Sequence, residues 1–427
     1  MNFRVRFEGD GTATTHGAGE DFTPVELYAR PSQTDALTAG RSILREVRRA
    51  NLKPRWRAWD FLSIALAAAI ADAATLRESS PDGWTREIHL DLALIEPDIW
   101  RPYLPLLTDA LRFLTTDVWK IEITERASMP FKEPNGPAAP NADCVALLSG
   151  GLDSLIGGID LCVDGKRPFL VSHTVRGDAD HQRSFARHLG ALPHIQLNHS
   201  DKVPNPSEIS QRVRSLIFIA YGVLIASTVV TPSDEPVDLY VNENGFISIN
   251  PALTPMRVGG LSTRTAHPRF LGLLQELLDA TGLNVRLVNP YRLSTKGQMM
   301  VGCKNQDLLA TVASLTTSCG RFQRYGYMHC GRCLPCQVRR AAFLRWGRAD
   351  NTTYKYDDLG RNDEDHAAFD DVRAVAIARL TVDQTGLGRW VGNALSGVPY
   401  LERDAAIAML RDGLDELGGL HDQYDVT

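Results

Sequence analysis

Long apolar runs are absent from this sequence of 427 residues. The longest stretch rich in alanine and leucine, 62–75, is shorter than the ~20 residues that cross a bilayer, and Asp72 interrupts it. The first seven residues alternate charged and bulky side chains and contain no apolar block of the kind that signal peptides carry. We therefore expect a soluble, cytoplasmic protein with no membrane partner.

An excess of basic residues is also absent, because 46 Lys and Arg stand against 51 Asp and Glu and the formal net charge is −5. This balance excludes a general electrostatic attraction to nucleic acid or anionic lipid, although a local basic patch is compatible with it. Hydrophobic residues at 44% and charged residues at 23% match folded proteins, so a largely disordered chain is excluded as well. No internal repeat is visible, and the length predicts two or three domains.

Strand-like and helix-like patterns alternate in residues 1–126. Apolar residues occupy every second position in 3–7, 88–94 and 119–123, as in half-buried strands, and helical stretches lie between them. We predict an N-terminal α+β domain of undisclosed role. Four prolines in 127–142 remove backbone donors and disfavour helix, which predicts a linker there.

Strands and helices alternate in the next segment, 143–348. It begins with the continuous apolar run Cys144–Leu148, which is typical of a strand covered on both faces of a parallel sheet. The alternation predicts an α/β domain with a doubly wound parallel sheet. The remainder, 349–427, turns acidic and then helical, and we predict a solvated helical C-terminal extension.

A glycine-rich turn connects that first strand to the following helix; it consists of Ser149, Gly150, Gly151, Leu152, Asp153 and Ser154. Glycines let the backbone approach a ligand closely, and the helix start offers N–H groups and a positive dipole end to an anion. The two serines add hydroxyl donors, so the turn predicts a phosphate site. Asp153 suits such a site if it holds Mg²⁺ or fixes the loop. A capped glycine-rich turn without a ligand is the alternative.

The lysine of the usual P-loop is missing, because no G-x-x-x-x-G-K-[ST] sequence occurs. Without it, the turn suits a pyrophosphate leaving group better than the transfer of a γ-phosphoryl group. Ser-Gly-Gly-Leu-Asp-Ser resembles the signature of the PP-loop ATP pyrophosphatases. The resemblance implies a fold like that of the adenine-nucleotide alpha hydrolases. It also implies adenylation of an oxygen, release of pyrophosphate, and displacement of AMP by a nitrogen or sulfur nucleophile.

Four of the seven cysteines lie within 18 residues, at Cys319, Cys330, Cys333 and Cys336. Four thiolates at this spacing suit tetrahedral Zn²⁺ with no open coordination position, which predicts a structural zinc module at 319–336. An iron–sulfur cluster is one alternative, because ferredoxins share the C-x-x-C-x-x-C spacing. Reduced thiols without metal are another.

The PP-loop motif combined with the sequence from His329 to Gln337 resembles the 7-cyano-7-deazaguanine synthases. Two further segments, 214–218 and 289–297, support the resemblance, which covers about 143–346. It implies that the protein uses ATP, Mg²⁺ and structural Zn²⁺. The implied reaction converts 7-carboxy-7-deazaguanine and ammonia to a nitrile through an amide.

The resemblance also implies roles for individual residues. Lys296 would neutralise the charge that develops on pyrophosphate, and Arg214 would clamp phosphate or the substrate carboxylate. Glu243, with Asn244 beside it, would read the N–H and amine edge of the deazaguanine ring. Each role has an alternative. Lys296 could be a solvated loop lysine, Arg214 could pair with Glu208 on the surface, and Glu243 could be an exposed loop acid.

Residues 1–140 and those after Ala349 have no counterpart in the synthases, and segments 240–246 and 263–268 also differ from the synthase pattern. This longer architecture resembles the synthase-like proteins encoded in bacterial anti-phage defence operons, such as the Qat system. That resemblance implies a defence role and a partner protein from the same operon.

We therefore expect an ATP-dependent carbon–nitrogen ligase that adenylates a deazaguanine carboxylate and passes it to an amine. One alternative transfers the deazaguanine to the N-terminus of a partner protein. Another is a tRNA-thiolating enzyme, in which Cys303 would carry the sulfur and the seven arginines of 319–348 would bind RNA. If the protein does not bind RNA, we expect these arginines to offset the negative charge of the cysteine thiolates. A non-catalytic nucleotide sensor is the third.

Overall fold

A computed structural model describes residues 1–8, 22–31, 35–128, 140–174, 177–199, 202–203, 205, 207–208, 212–231, 235–254, 264, 266–359 and 370–426. Most of the predicted linker, 129–139, and most of the acidic segment after 359 lie outside these residues. Of the helices in the described part of the chain, none combines the length and hydrophobicity that crossing a bilayer requires.

The described strands form two sheets of five strands each. The first contains β1 (Asn2–Phe7), β2 (Thr23–Leu27), β3 (Leu37–Ala39), β4 (Glu87–Leu94) and β5 (Val118–Arg126). The second contains β6 (Cys144–Leu147), β7 (Pro168–His173), β8 (His194–Leu197), β9 (Val237–Tyr240) and β10 (Val285–Val288).

Helices connect and cover these strands. With the first sheet lie α1 (Arg41–Arg49), α2 (Trp56–Ala74), α3 (Pro97–Trp100) and α4 (Leu104–Thr115). With the second lie α5 (Leu152–Val163), α6 (Ala179–His188), α7 (Arg214–Ala226), α8 (Gly245–Ile249), α9 (Pro268–Ala280), α10 (Lys296–Gly302), α11 (Gln306–Val312) and α12 (Leu334–Trp346). The C-terminal helices are α13 (Asp370–Thr385), α14 (Leu387–Val391) and α15 (Arg403–Gln423).

All strand pairs of the first sheet are parallel, in the order β3-β2-β1-β4-β5. The prediction of an α+β domain is therefore wrong, and the N-terminal unit has an α/β architecture. One face packs on the helices through residues such as Val5 and Leu90, whereas the other carries charged pairs such as Arg6 with Asp91, at 3.1 Å. Alternate residues of β1, β4 and β5 are mostly polar or charged and lie on the exposed or ion-paired face. The strands therefore alternate apolar and polar residues, a pattern that is usual for antiparallel sheets although these strands are parallel.

The second sheet is also parallel throughout, in the order β10-β9-β6-β7-β8, which confirms the predicted α/β class. The central strand β6 is buried on both faces: Val145 and Leu147 belong to a core shared with α7, and Ala146 and Leu148 to one shared with α5. The chain extends from β6 to β7 and β8 on one side, and returns to β9 and β10 on the other. This reversal lies between β6 and β9, and the crevice beyond the carboxyl ends of such strands is where open α/β sheets bind ligands.

The two sheets share one hydrophobic core, in which α2 packs on α7. Asp72 of α2 also holds the start of α7, because its carboxylate accepts hydrogen bonds from the backbone N–H groups of Arg212, at 2.6 Å, and Val213, at 3.1 Å. The N-terminal unit is thereby attached to the second sheet by apolar and polar contacts.

The C-terminal helices also form a core with the rest of the chain, so the prediction of a solvated extension is wrong. Val375 of α13 and Leu410 and Leu417 of α15 are buried with Phe246 of α8 and Val338 of α12. The apolar residues of α13 and α15 that suggested helices thus supply packing surface next to the second sheet.

Candidate functional site

The glycine-rich turn is folded by its own polar groups. Gly150 has φ +91°, a left-handed conformation that glycine adopts readily. The Ser154 hydroxyl accepts from the N–H of Ser149 at 3.2 Å and donates to the carbonyl of Gly151 at 2.9 Å, and the N–H of Gly151 donates to Ser149 Oγ at 3.2 Å. The turn is preorganised, and its last three residues, Leu152 to Ser154, are already the first residues of α5.

This turn borders a cleft of about 220 Å³ at the crevice between β6 and β9. The cleft is lined by Ser149, Gly151, Leu152, Asp153, Ser154, Asn242, Glu243, Ile247, Lys296, Thr317, Ser318 and Pro335. The turn therefore faces open space, and the fold brings Glu243 and Lys296 to it from distant parts of the sequence.

Asp153 lies at the centre of the polar contacts in the cleft and is buried, as is Lys296. Its carboxylate pairs with the Lys296 ammonium and accepts from the backbone N–H of Asn244 at 3.1 Å and from Asn244 Nδ2 at 2.7 Å. Burial alone would raise the pKa of Asp153, but the adjacent ammonium and the hydrogen-bond donors outweigh it and lower this pKa to about 2. Asp153 is therefore a carboxylate at neutral pH.

Glu243 is a second carboxyl group beside Asp153, and their side chains share a hydrogen bond. Burial and the negative charge of Asp153 raise the pKa of Glu243 well above its ordinary value. The cleft thus holds two adjacent carboxyl groups whose pKa values are shifted in opposite directions beside the Lys296 ammonium. Asn244, the other predicted substrate-binding residue, donates to both carboxyl groups, the bond to Glu243 Oε1 being 3.3 Å long.

The raised pKa of Glu243 predicts a pH-dependent cost of folding. Its ordinary pKa is about 4.5, so the folded protein retains a proton that the unfolded chain releases as the pH rises above this value. Relative to Glu243→Gln, the wild type should lose about 1.4 kcal/mol of stability per pH unit between that value and the raised pKa. The opposite contribution of Asp153 is lost only as the pH falls towards about 2, below this window.

Thermal unfolding of both proteins at pH 5, 6, 7 and 8 without added Mg²⁺ measures the difference. We expect the advantage of Glu243→Gln to be smallest at pH 5 and to grow with pH. A difference in unfolding temperature that stays constant over this range would contradict the assigned protonation of Glu243.

Asn242 is a residue of the cleft that we did not predict. It is 7% exposed, and neither polar atom of its side chain has a hydrogen-bond partner among the described residues. It packs so closely on α5 that a Cβ at Gly157 would lie 2.1 Å from its Cγ. Its position just after β9 was the available signal, because polar residues at the carboxyl ends of parallel strands line ligand crevices.

Arg214 lies outside the residues that line the cleft. It is the first residue of α7 and is exposed, and its guanidinium interacts with Asp178 and with His173, the last residue of β7. Burial raises the pKa of Asp178 although the guanidinium opposes this shift. The alternative partner, Glu208, accepts from the backbone N–H of Arg77 at 3.0 Å. The structure therefore groups Arg214 with the end of β7.

The four predicted metal ligands meet in one buried group. Their Sγ atoms all lie within 4.8 Å of one another, and the Cys319–Cys333 and Cys330–Cys336 pairs are 3.9 Å apart. A tetrahedral zinc ion with Zn–S bonds of ~2.3 Å would place its ligands ~3.8 Å apart, so this group can hold a metal ion such as zinc. Thiolates this close leave no room between them for the irons and sulfides of a cluster.

Backbone donors support the sulfur atoms. The N–H groups of Arg321 and Cys330 each donate to Cys319 Sγ at 3.3 Å, and that of Cys333 donates to Cys330 Sγ at 3.2 Å. Donors of this kind stabilise the thiolate form that binds metal.

The cysteine group is connected to the glycine-rich turn. The N–H of Thr317 donates to the carbonyl of Gly150 at 3.0 Å, and the N–H of Ser318 donates to Nε2 of His329, the neighbour of Cys330. Thr317, Ser318 and Pro335 form one wall of the cleft. The cysteine module thus shapes the site that the turn opens into.

Three of the seven arginines near the cysteines are buried structural residues. Arg339 donates to Thr316 Oγ1 at 2.7 Å, Arg340 to the carbonyl of Gly331 at 3.2 Å, and Arg332 pairs with Asp358 at 2.5 Å. Arg345 forms an ion pair with Glu416 at 2.9 Å. These contacts favour a supporting role over an RNA-binding surface.

Cys303, the proposed sulfur carrier, is 4% exposed and belongs to the core around α5. Burial raises its pKa to about 12. A thiol that remains protonated at neutral pH is a poor nucleophile, so the environment of Cys303 disfavours thiolation chemistry.

Comparison with known proteins returns no match: none of the protein-family models fits the sequence, and neither a curated protein nor a solved structure matches the chain.

Proposed function

We propose that this protein is an ATP-dependent ligase of the PP-loop type, which adenylates a carboxylate and transfers the acyl group to an amine. The observation that carries the proposal is the cleft at the carboxyl edge of the second sheet, where the turn 149–154 meets the Asp153–Lys296 pair. The strand-order reversal beside it supports nucleotide binding.

The phosphates of ATP would lie on the turn and on the N-terminus of α5. The start of this helix lines the cleft through Leu152, Asp153 and Ser154, and its dipole favours negative charge. The ammonium of Lys296 would stabilise the charge that develops on the leaving pyrophosphate. In this assignment Asp153 fixes the ammonium at the end of the turn.

The paired carboxyl groups of Asp153 and Glu243 fit the Mg²⁺ that accompanies ATP, since carboxylate oxygens are ligands that this ion prefers. Asp153 and Glu243 would hold the ion through their ionised carboxylate groups, and the ion would neutralise phosphate charge. The cysteine group would hold a structural zinc ion, because four thiolates leave no position for substrate.

The substrate class rests on the motif resemblance to the 7-cyano-7-deazaguanine synthases. A 7-carboxy-7-deazaguanine carboxylate would attack the α-phosphate and form an acyl-adenylate as pyrophosphate leaves. An amine would then displace AMP and form an amide. We place this chemistry in bacterial anti-phage defence, on the resemblance to the longer synthase-like proteins.

Transfer of oxygen from the carboxylate to AMP tests the proposal. With ¹⁸O in the carboxylate of 7-carboxy-7-deazaguanine, we expect pyrophosphate release and one ¹⁸O atom in each AMP, measured by mass spectrometry. Reactions with ammonium or with a peptide amine identify the acceptor. Binding of ATP without pyrophosphate release would indicate a nucleotide sensor, and release of ADP would contradict adenylation.

A further inference from the structure

The C-terminal helix α15 contacts the N-terminus of α10, the helix that begins with Lys296. The Glu416 carboxylate, 6% exposed, accepts from the hydroxyl of Thr295 and from the N–H of Gly297 at 3.3 Å. Arg345 of α12 donates to the same carboxylate at 2.9 Å. Glu416 is therefore a buried acid at a helix N-terminus, where a negative charge is stabilising.

The start of α10 is further constrained by a capping box. Thr295 Oγ1 accepts from the N–H of Gln298 at 3.0 Å, and Gln298 Oε1 accepts from the N–H of Thr295 at 2.8 Å. Gln298 Nε2 also donates to Asp412 of α15 at 2.6 Å. Glu416 and Asp412 of α15 thus accept hydrogen bonds from residues on both sides of Lys296 in the sequence. These residues are Thr295 before it and Gly297 and Gln298 after it.

The same helix supports the other partner of Asp153. Gly413 of α15 lies so close to Phe246 that a Cβ on the glycine would be 2.3 Å from the phenyl ring. Phe246 belongs to α8, whose N-cap residue is Asn244, and Asn244 accepts from the N–H of Ile247 at 3.0 Å. Helix α15 therefore contacts both elements that supply polar groups to Asp153.

We propose that Glu416 is a positioning residue that orients Lys296 in the cleft by fixing the first turn of α10. Lys296 is the first residue of that helix, so the direction of its side chain depends on where and how the helix begins. Glu416 itself does not line the cleft and acts through Thr295 and Gly297. The catalytic consequence rests on the proposed function, whereas the positioning itself does not.

Labelling of lysines with an amine-reactive reagent, quantified for each residue by mass spectrometry, tests the positioning without nucleotide. In the wild type Lys296 is buried and paired, so it should react slowly. We expect Glu416→Ala to accelerate its labelling at least fivefold. The matched control is Asp415→Asn, an exposed acid one position earlier in α15, which should leave labelling unchanged. The exposed Lys304 serves as an internal reference.

Unchanged labelling of Lys296 in Glu416→Ala would overturn the inference. Equal acceleration of the partly buried Lys53 and Lys202 would also overturn it, because it indicates general loosening. If Glu416→Ala does not fold, Glu416→Gln replaces it; this variant keeps one acceptor oxygen and should show the same selective effect at smaller size.

Kinetics provide the second readout. Glu416→Ala should lower kcat for pyrophosphate release about tenfold with little change in KM for the carboxylate, and should add no loss to Lys296→Met. Additive losses would contradict action through Lys296. Absence of pyrophosphate release from the wild type would refute the proposed function, and the labelling result would still decide the positioning.

Discussion

Asp153→Asn is expected to reduce pyrophosphate release by about 10²–10³-fold, the usual cost of removing one preorganised electrostatic group from an active site. The side chain keeps its size and one acceptor oxygen, so the hydrogen bonds with Asn244 can persist in part. The negative charge that holds the Lys296 ammonium is lost. The ammonium should then no longer be fixed at the end of the glycine-rich turn.

The same substitution should lower stability, because removal of one partner leaves a buried charge uncompensated. Breaking a buried ion pair costs about 3–5 kcal/mol, and the retained acceptor should keep the loss for asparagine below that range. Asp153→Ala removes the acceptor as well and is the less informative variant.

The double variant Asp153→Asn, Lys296→Met separates stability from activity. With both charges removed, the free energy of unfolding should recover, whereas pyrophosphate release should not. Denaturant unfolding and a coupled pyrophosphate assay measure the two quantities. Turnover of the single variant within tenfold of the wild type would refute the role assigned to Asp153.

Loss of the metal is expected to have the largest effect on folding. The purified protein should contain one zinc ion per chain, and Cys333→Ser should lose it together with much of the soluble protein. Structural zinc sites in small modules contribute about 10–16 kcal/mol of apparent binding free energy, which is also folding free energy. Four buried thiols without an ion would leave this module without a comparable source of stability.

Elemental analysis and thermal unfolding check this result, with Cys162→Ser as the matched control. Cys162 is partly buried on α5 and lies outside the four-cysteine group, so its substitution should leave metal content unchanged. Partial chelation should also weaken ATP binding, because Thr317 connects the module to the turn at Gly150. Full metal content and an unchanged unfolding temperature in Cys333→Ser would refute the assignment.

Sequence patterns were least informative where a single pattern fits two arrangements. Alternation in β1, β4 and β5 indicated half-buried strands but not their direction, and the strands proved parallel. The apolar residues of α15 predicted a helix but not its partner. They pack on α8 and α12, and this contact brings Glu416 to α10.

The pairing within the site was likewise a property of the fold. Both Asp153 and Lys296 were predicted as functional residues, but their contact spans 143 positions of the chain. Glu243 was predicted to read a ring edge, which stays a prediction, and the structure places this residue beside Asp153 in the cleft. Arg214 was predicted from the family resemblance, and the structure places it at the start of α7, outside the residues that line the cleft.

The sequence by itself determined the glycine-rich turn and the four-cysteine group, because glycine conformation, helix capping and closely spaced thiols act within a few residues. Tertiary structure alone decided which acid faces the lysine, which walls close the cleft and which helix supports α10. These relations depend on strand order and on packing between segments far apart in the chain, and local residue preferences carry no information about either.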